Sequence, residues 1–133
     1  MEVGAGIGSF TNNYSSLENN SITLTEIDNN NYKIIKERFK NRNYFFYQSV
    51  TKELKGKFNT IMYLNVLEHI EKDTVEINDA LEKLDDNGYL IILVPAHNKL
   101  YSKFDEAVGH FKRYEIDYFN KLKLNNAVLD HTL

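Results

Sequence analysis

The sequence predicts an α/β fold built on a mostly parallel, doubly wound sheet with helices on both faces. Short apolar segments alternate with segments of helical periodicity along the 133 residues, and this alternation is typical of parallel strands joined by crossover helices. The apolar segments are short and nearly continuous, as expected of strands that are buried on both faces. No internal repeat or linker is found, so residues 1–133 are interpreted as a single domain.

Five apolar segments have the length and composition of strands. In parallel sheets, ligands bind beyond the carboxyl ends of the strands, at the point where the strand order reverses. The residues that follow each strand are therefore the first place to look for a functional site. The predicted strands are Met1–Val3, Ile22–Ile27, Tyr44–Tyr47, Phe58–Leu64 and Tyr89–Val94.

Four other segments have helical periodicity or follow a strand closely enough to form its crossover. They are Ser9–Leu17, Asn31–Lys40, Thr74–Leu84 and Glu115–Leu124. The third has the clearest boundary signals, because Asp73 stands at the N-cap position and Glu76 follows at the spacing of a capping box. Gly88 lies shortly after its end, as is common after helices.

Composition disfavours several classes of function. The formal net charge of -3 argues against a nucleic-acid surface, which needs a basic face to neutralise phosphates. The absence of cysteine removes disulfides and thiolate chemistry and fits a reducing cytoplasm. The four histidines do not pair at ligand spacing, so no metal site is predicted. The longest apolar run, Tyr89–Val94, is far shorter than the roughly 20 residues of a membrane span.

The first functional motif is the segment Glu2-Val3-Gly4-Ala5-Gly6-Ile7-Gly8. Alternate glycines allow a tight turn and a close approach of the backbone to a ligand, and the following helix would present its N-terminus to a negative group. A dinucleotide site prefers G-x-G-x-x-G, which would place a glycine where Ser9 stands. Glu26 ends the second strand, where a carboxylate can accept both ribose hydroxyls of an adenosine.

The glycine segment resembles motif I of the class I S-adenosylmethionine-dependent methyltransferases. After the fifth strand, the patterns V-P-A, L-Y-S-x-x-D and G-H-x-x-R-Y lie between Val94 and Tyr114 and resemble a bacterial small-molecule methyltransferase subgroup. The resemblance covers residues 1 to about 120. It implies a Rossmann-like sheet of about five strands in the order 3-2-1-4-5, S-adenosylmethionine as cofactor, and methyl transfer to a small-molecule acceptor.

The resemblance also assigns cofactor-binding positions. The glycine segment would hold the methionine end of the cofactor, and Glu26 would hold the ribose. Ser49 stands where the family often has an acid that recognises adenine, which is a departure from the pattern. The residues expected at the cofactor are Glu2, Gly4, Ala5, Gly6, Gly8, Glu26, Ile27, Ser49, Val50, Asn65 and Leu67.

The candidate catalytic residues are His69, Asp105, His110 and Arg113. His69 belongs to a Leu-Glu-His segment that recurs in the family, and the others belong to the patterns after the fifth strand. Methyl transfer mainly requires alignment of donor and acceptor; His110 is suited to act as a base, and Arg113 is suited to bind an acidic group. An alternative is that Asp105, His110 and Arg113 form a hydrogen-bonded brace that shapes the loop, which is compatible with a catalytic role.

The sequence lacks segments that the family usually has. Few residues precede Gly4, and the tail after residue 124 is too short for the usual sixth and seventh strands, so we expect a fragment truncated at both ends. The fifth strand would then be an exposed edge that favours self-association. Two other functions stay open: a non-catalytic methyltransferase-like binding module, and a nicotinamide-dependent oxidoreductase, which Ser9 disfavours. No residue identifies the acceptor or its reacting atom.

Overall fold

The computed structural model describes residues 1–14, 21–124 and 127–129. Its centre is a five-stranded sheet in the order β3-β2-β1-β4-β5, and every pair of neighbouring strands is parallel. The predicted strand order is therefore confirmed. The strands are β1 (Glu2–Val3), β2 (Ile22–Thr25), β3 (Tyr44–Tyr47), β4 (Phe58–Leu64) and β5 (Leu84–Leu93).

Helices and short 3-10 turns connect the strands or follow the last strand, β5. The helices are α1 (Thr11–Tyr14), α2 (Asn29–Arg38), α3 (Asp73–Glu82) and α4 (Lys103–Ala107), and the 3-10 turns are Thr51–Glu53, Leu67–His69, Asn98–Leu100 and Phe119–Lys121. Among the described residues, no helix combines the length and the apolar composition that crossing a membrane requires. The strand order reverses at β1, which lies between β2 and β4, so the loop after β1 occupies the position where ligands bind in such sheets.

Two clusters of buried apolar side chains pack against the sheet. The first surrounds α3 and includes Val3, Ile61, Tyr63, Leu67, Ile77, Ala80 and Tyr114. The second surrounds α2 and consists of Ala5, Ile22, Leu24, Ile35 and Phe39. Strand residues contribute to both clusters, which explains why the apolar runs of the sequence are nearly continuous.

The predicted capping box of α3 is wrong. The helix begins at Asp73 itself, and Lys72 is the N-cap residue without a side-chain cap. The Asp73 carboxylate instead accepts a hydrogen bond from the Tyr118 hydroxyl (2.7 Å), and the Glu76 carboxylate accepts one from the Tyr63 hydroxyl (2.5 Å). Both acids are therefore used in tertiary contacts, which local spacing does not reveal.

The other helix predictions also need correction. Helix α1 covers only Thr11–Tyr14 of the predicted Ser9–Leu17, and residues 15–17 of that prediction lie outside the described residues. The segment Glu115–Leu124 contains a single 3-10 turn; the rings of Tyr118 and Phe119 pack on Tyr114, with ring centroids 5.0 and 5.5 Å away. Tertiary packing of aromatic rings outweighs the weak helical periodicity here.

Strand β5 and helix α4 also differ from the sequence prediction. Strand β5 begins at Leu84, five residues before the predicted start at Tyr89, and includes Asn87 with a φ of 61°. Helix α4 was not predicted, although it has a true capping box: the Ser102 hydroxyl accepts from the Phe104 N–H (3.3 Å), and the Asp105 carboxylate accepts from the Ser102 N–H (2.9 Å). The S-x-x-D spacing is a recognisable signal for this helix start.

Gly8 provides a test of the packing between the glycine loop and α2. Its φ is +82°, and an added Cβ would lie 2.4 Å from Cε2 of the buried Phe39 ring. We expect Gly8→Ala to lose about 1–3 kcal/mol through overpacking, in addition to about 1–2 kcal/mol of left-handed backbone strain. Gly56→Ala is the control, because Gly56 has a φ of +93° and open space around it. Chemical denaturation measures both, and equal losses would contradict the described packing.

Candidate functional site

The glycine loop between β1 and α1 lies at the carboxyl edge of the sheet. Gly4, Gly6 and Gly8 have φ values of 62°, 56° and 82°. The Ala5 N–H donates to the Thr25 carbonyl (2.9 Å), which fastens the loop to the end of β2. A Cβ added to Gly6 would meet no atom of the described residues within 4 Å, so the backbone at this residue borders open space in this part of the chain. A ligand can therefore approach the main chain closely at Gly6.

Glu26 immediately follows β2 and directs its carboxylate to the glycine loop. Its Oε2 accepts a hydrogen bond from the Gly6 N–H (2.7 Å), and its Oε1 accepts one from the Asp28 N–H (2.8 Å). An ionised carboxylate offers about four lone-pair positions, so acceptor capacity remains on both oxygens. Glu26 and the glycine loop, which together define the predicted cofactor site, are thus in direct contact through Gly6.

Glu2 was predicted to contact the cofactor, and the structure places it beneath the loop. The Glu2 carboxylate is buried and accepts hydrogen bonds from the hydroxyls of Thr11 (2.5 Å) and Tyr14. Burial raises the pKa of Glu2, although the two hydroxyl hydrogen bonds act in the opposite direction. The side chain therefore holds α1 against β1, and contact of Glu2 with a ligand stays a prediction.

Apolar side chains stand exposed where β2 and β3 end. Ile27 is 67% exposed and Val50 is 44% exposed. The Gln48 side-chain amide donates to the Ile27 carbonyl (3.3 Å), linking the two loops. The Ser49 hydroxyl donates to the Glu53 carboxylate (2.8 Å). Because β2 and β3 are neighbours, their ends offer two apolar surfaces close to Glu26.

The end of β4 contacts the glycine loop from the other side. Asn65 is exposed and has a φ of 55°, a conformation that asparagine tolerates better than most residues. Its N–H donates to the Leu93 carbonyl (2.9 Å). Val66 packs so closely on Gly4 that an added Cβ would lie 2.8 Å from its Cγ1. Leu67 is fully buried in the core, and its carbonyl accepts a hydrogen bond from the Tyr114 hydroxyl (3.1 Å), so contact of Leu67 with a ligand stays a prediction.

The segment after β5 folds back over the end of β4. Ala96 and Tyr114 form an isolated parallel β-bridge, and the Phe111 N–H donates to the Glu68 carbonyl (2.8 Å). The Tyr114 hydroxyl is buried within 3.1 Å of the Asp73 carboxylate. The sequence prediction did not include Tyr114, although it closes the G-H-x-x-R-Y pattern. This fold-back brings the loop residues to the carboxyl edge of the sheet.

Asp105 is the centre of a buried hydrogen-bond network. Its Oδ1 accepts from Arg113 Nε (2.9 Å) and from His110 Nδ1 (3.0 Å), and its Oδ2 accepts from the Ser102 N–H (2.9 Å). The Arg113 guanidinium, with the bonds from His110 and Ser102, holds the pKa of the Asp105 carboxyl well below its usual range. These contacts correspond to the brace that the sequence left as an alternative.

His69 joins this network through His110. The two imidazole rings meet edge to face with their centroids 4.6 Å apart, and His69 Nδ1 lies 3.2 Å from the Gly109 carbonyl oxygen. Glu68 is buried beside them, with its Oε1 3.9 Å from His110 Nε2. Burial raises the pKa of the Glu68 carboxyl. The four predicted catalytic residues therefore lie together with Glu68, whose signal in the sequence was its place in the Leu-Glu-His segment.

The positions of His69 and His110 concern the prediction that the chain has no metal site. One possible ligand atom from each of Glu68, His69 and His110 lies within 4.8 Å of the other two. Sequence spacing does not reveal this arrangement, because the fold-back of the segment after β5 is what brings His110 to His69.

The sequence as a whole matches a known domain family. A family model described as a methyltransferase domain matches residues 1–130. A search of curated protein sequences found no match.

Several solved methyltransferase structures resemble this one. Coclaurine N-methyltransferase bound to N-methylheliamine and SAH has a TM-score of 0.74 at 16% identity, over 92% of this chain and 41% of that protein. Magnesium protoporphyrin IX methyltransferase from Synechocystis PCC 6803 with bound SAM has a TM-score of 0.63 at 19% identity, over 76% and 50%. The plantazolicin methyltransferase, in complex with a triazolic desmethylPZN analog and SAH, has a TM-score of 0.65 at 14% identity, over 80% of this chain and 45% of that protein. At these identities the similarity is one of fold, and the chain spans half or less of each protein's length.

The Asp105 network generates a prediction about pH. The folded-state pKa of Asp105 lies below the ordinary value of 3.8, so the ionised carboxylate contributes stability above that value and loses the contribution as the pH falls below it. We expect Asp105→Asn to be less stable than the parent at about pH 6, with a smaller difference at about pH 3. Chemical denaturation at both pH values measures this. Asp86→Asn, at an exposed position of β5, is the control, and a pH-independent difference for Asp105→Asn would contradict the assignment.

Proposed function

The chain belongs to the methyltransferase domain family, and from this membership we propose that it transfers a methyl group from S-adenosylmethionine to a small-molecule acceptor. The observation that carries the proposal is the contact between Gly6 and Glu26 at the point where the strand order reverses. There, an open stretch of backbone adjoins a carboxylate that retains lone pairs for two hydroxyl groups.

The residues around this contact fit an adenosyl cofactor part by part. The Glu26 carboxylate would accept the ribose hydroxyls, and the exposed side chains of Ile27 and Val50 would flank the adenine ring. The methionine part would lie along the loop from Gly4 to Gly8, near Asn65. When bound, the cofactor supplies an electrophilic methyl group on a positively charged sulfur. Three of the similar solved methyltransferases contain SAM or SAH, which supports this choice of cofactor.

The acceptor side would be formed by the fold-back segment over β4. Asp105 accepts a hydrogen bond from His110 Nδ1, so the Nε2 atom of His110, which lies 3.9 Å from Glu68 Oε1, would be the atom that interacts with an acceptor. Arg113 uses Nε for Asp105, which leaves its terminal amino groups for an acidic part of the acceptor. The chain would thus hold and align the acceptor, which is the main requirement for an in-line methyl transfer.

The two alternative functions make different predictions about ligands. A nicotinamide-dependent oxidoreductase would require binding of the reduced dinucleotide, and family membership favours the methyl donor instead. A non-catalytic binding module would bind the cofactor weakly or fail to turn it over. The absence of cysteine supports a cytoplasmic location, which we also propose.

We further propose that the edge of β5 pairs with a second copy of the chain. β5 is an edge strand of the described sheet, and its side chains Tyr89, Ile91 and Leu93 are 65%, 46% and 47% exposed. An apolar edge strand with unpaired backbone groups favours association with another strand. We expect the sedimentation coefficient to rise with concentration, and Ile91→Lys to abolish the rise. Ile34→Lys, on an exposed position of α2, is the control; a monomer at all concentrations would contradict the proposal.

Titration calorimetry with S-adenosylmethionine and S-adenosylhomocysteine tests the proposed cofactor. A hydrogen bond to a charged group contributes about 1.5–3 kcal/mol, so Glu26→Gln should raise the Kd roughly 10- to 100-fold. Asp28→Asn is a matched control: Asp28 accepts from the N–H groups of Asn30 and Asn31 at the start of α2, and asparagine caps helices equally well.

Gly6→Ala extends the same titration to the glycine loop. Its Cβ would occupy the open space at Gly6, so we expect weaker cofactor binding with a loss of stability no greater than that of Gly56→Ala. A folded parent chain that binds neither cofactor form, or that binds them as tightly after Glu26→Gln, would overturn the proposed function. Binding of the reduced nicotinamide dinucleotide instead would favour the oxidoreductase alternative.

A further inference from the structure

We propose that Glu68, His69 and His110 form a binding site for a divalent transition-metal cation of the zinc class. One possible ligand atom from each residue lies within 4.8 Å of the other two. Two imidazoles and one carboxylate are a ligand set that zinc sites with an open coordination position use. The proposal goes beyond the methyltransferase function and does not depend on it.

The hydrogen bonds of both histidines leave the same nitrogen available to a metal. His110 Nδ1 lies 3.0 Å from the Asp105 carboxylate, and His69 Nδ1 lies 3.2 Å from the Gly109 carbonyl. A carbonyl and an ionised carboxylate can only accept, so in the neutral imidazole that binds a metal each Nδ1 would carry the proton and each Nε2 would keep its lone pair. Metal-binding histidines almost always donate their other N–H to a carboxylate or a carbonyl in this way.

Glu68 provides the second independent observation. Its side chain is 1% exposed, and among the described residues its Oε2 atom has no hydrogen-bond partner. A buried, ionised carboxylate oxygen without a donor is costly unless a cation compensates its charge. Its Oε1 lies 3.9 Å from His110 Nε2, too far for a hydrogen bond. Two ligand atoms of a tetrahedral zinc ion that each lie about 2.0–2.2 Å from the metal are about 3.3–3.6 Å apart, so the two side chains would have to approach by a few tenths of an ångström to share the ion.

Three protein ligands leave a coordination position for a further molecule. His69 is exposed, so this position is accessible from solvent at the carboxyl end of β4, on the proposed acceptor side. If the proposed methyl transfer occurs there, a hydroxyl group bound to the cation would lose its proton more readily than in water. This consequence rests on the proposed function, and in it His110 Nε2 acts as a ligand.

The alternative to a metal site is an ion pair between His110 and Glu68, with no metal bound. A protonated His110 would then face the Glu68 carboxylate across 3.9 Å. This arrangement predicts no affinity for zinc, so a binding measurement separates the two.

Calorimetric titration of the metal-free chain, without a polyhistidine tag, with zinc chloride tests the site. We expect one zinc per chain, and cobalt(II) should give the intense visible absorption of a four-coordinate site with histidine ligands. His69→Gln should weaken zinc binding at least tenfold, and Glu68→Gln should do the same. His97→Gln is the control, because His97 is an exposed histidine of the segment after β5 outside the ligand set, and its affinity should equal that of the parent.

If Glu68→Gln folds poorly, thermal unfolding of the parent and of the histidine variants still tests the metal site. A cation that binds only the folded chain raises its stability, so zinc should raise the Tm of the parent and of His97→Gln but not of His69→Gln, whose side chain is exposed. No stoichiometric zinc binding by the parent, or equal binding by His69→Gln, would overturn the metal site. The cofactor titration on the metal-free chain is a separate measurement, so failure of the methyltransferase proposal would be recognised independently.

Discussion

The candidate site depends on one hydrogen bond, which the Gly6 N–H donates to the Glu26 carboxylate. It joins the loop after β1 to the end of β2, and so defines the crevice at the point where the strand order reverses. Gly6 has a φ of 56° in this contact, and Glu26 turns its carboxylate toward the loop. The same backbone and carboxylate would face the proposed cofactor, so one contact serves both the fold and the proposed function.

The opposite side of the crevice depends on a second carboxylate. Asp105 fixes the position of His110 and Arg113, while Asp73 anchors the fold-back segment through Lys112 (2.6 Å) and Tyr118. Burial alone would raise the pKa of Asp73, but these hydrogen bonds and the lysine charge lower it. These buried ionic contacts hold a loop of irregular backbone in place. In a helix or a strand, hydrogen bonds between main-chain groups would do this. The positions of Asp105, His110 and Arg113 follow from that arrangement.

The sequence predicted those features that depend on topology and missed those that depend on individual tertiary contacts. Apolar runs identify buried strands, and parallel strands bring their carboxyl ends together, so the approach of Gly6 to Glu26 could be expected. The capping box at Asp73 failed because Tyr118 and Lys112 compete for that carboxylate. The convergence of His69 and His110 could not be read from spacing, because it arises when the segment after β5 returns to the sheet beside Ala96.

Most buried carboxylates of the described residues are satisfied by hydrogen bonds within the chain. Glu26 and Asp105 each receive hydrogen bonds on both oxygens, and Asp73 receives them from Thr74 and from the tyrosines. Glu2 receives both of its hydrogen bonds on Oε2. Within this part of the chain, Glu68 is the carboxylate with a fully buried oxygen, Oε2, that no donor reaches. Buried polar groups are as a rule hydrogen-bonded, so an unsatisfied carboxylate oxygen beside two oriented imidazoles supports the proposed cation site.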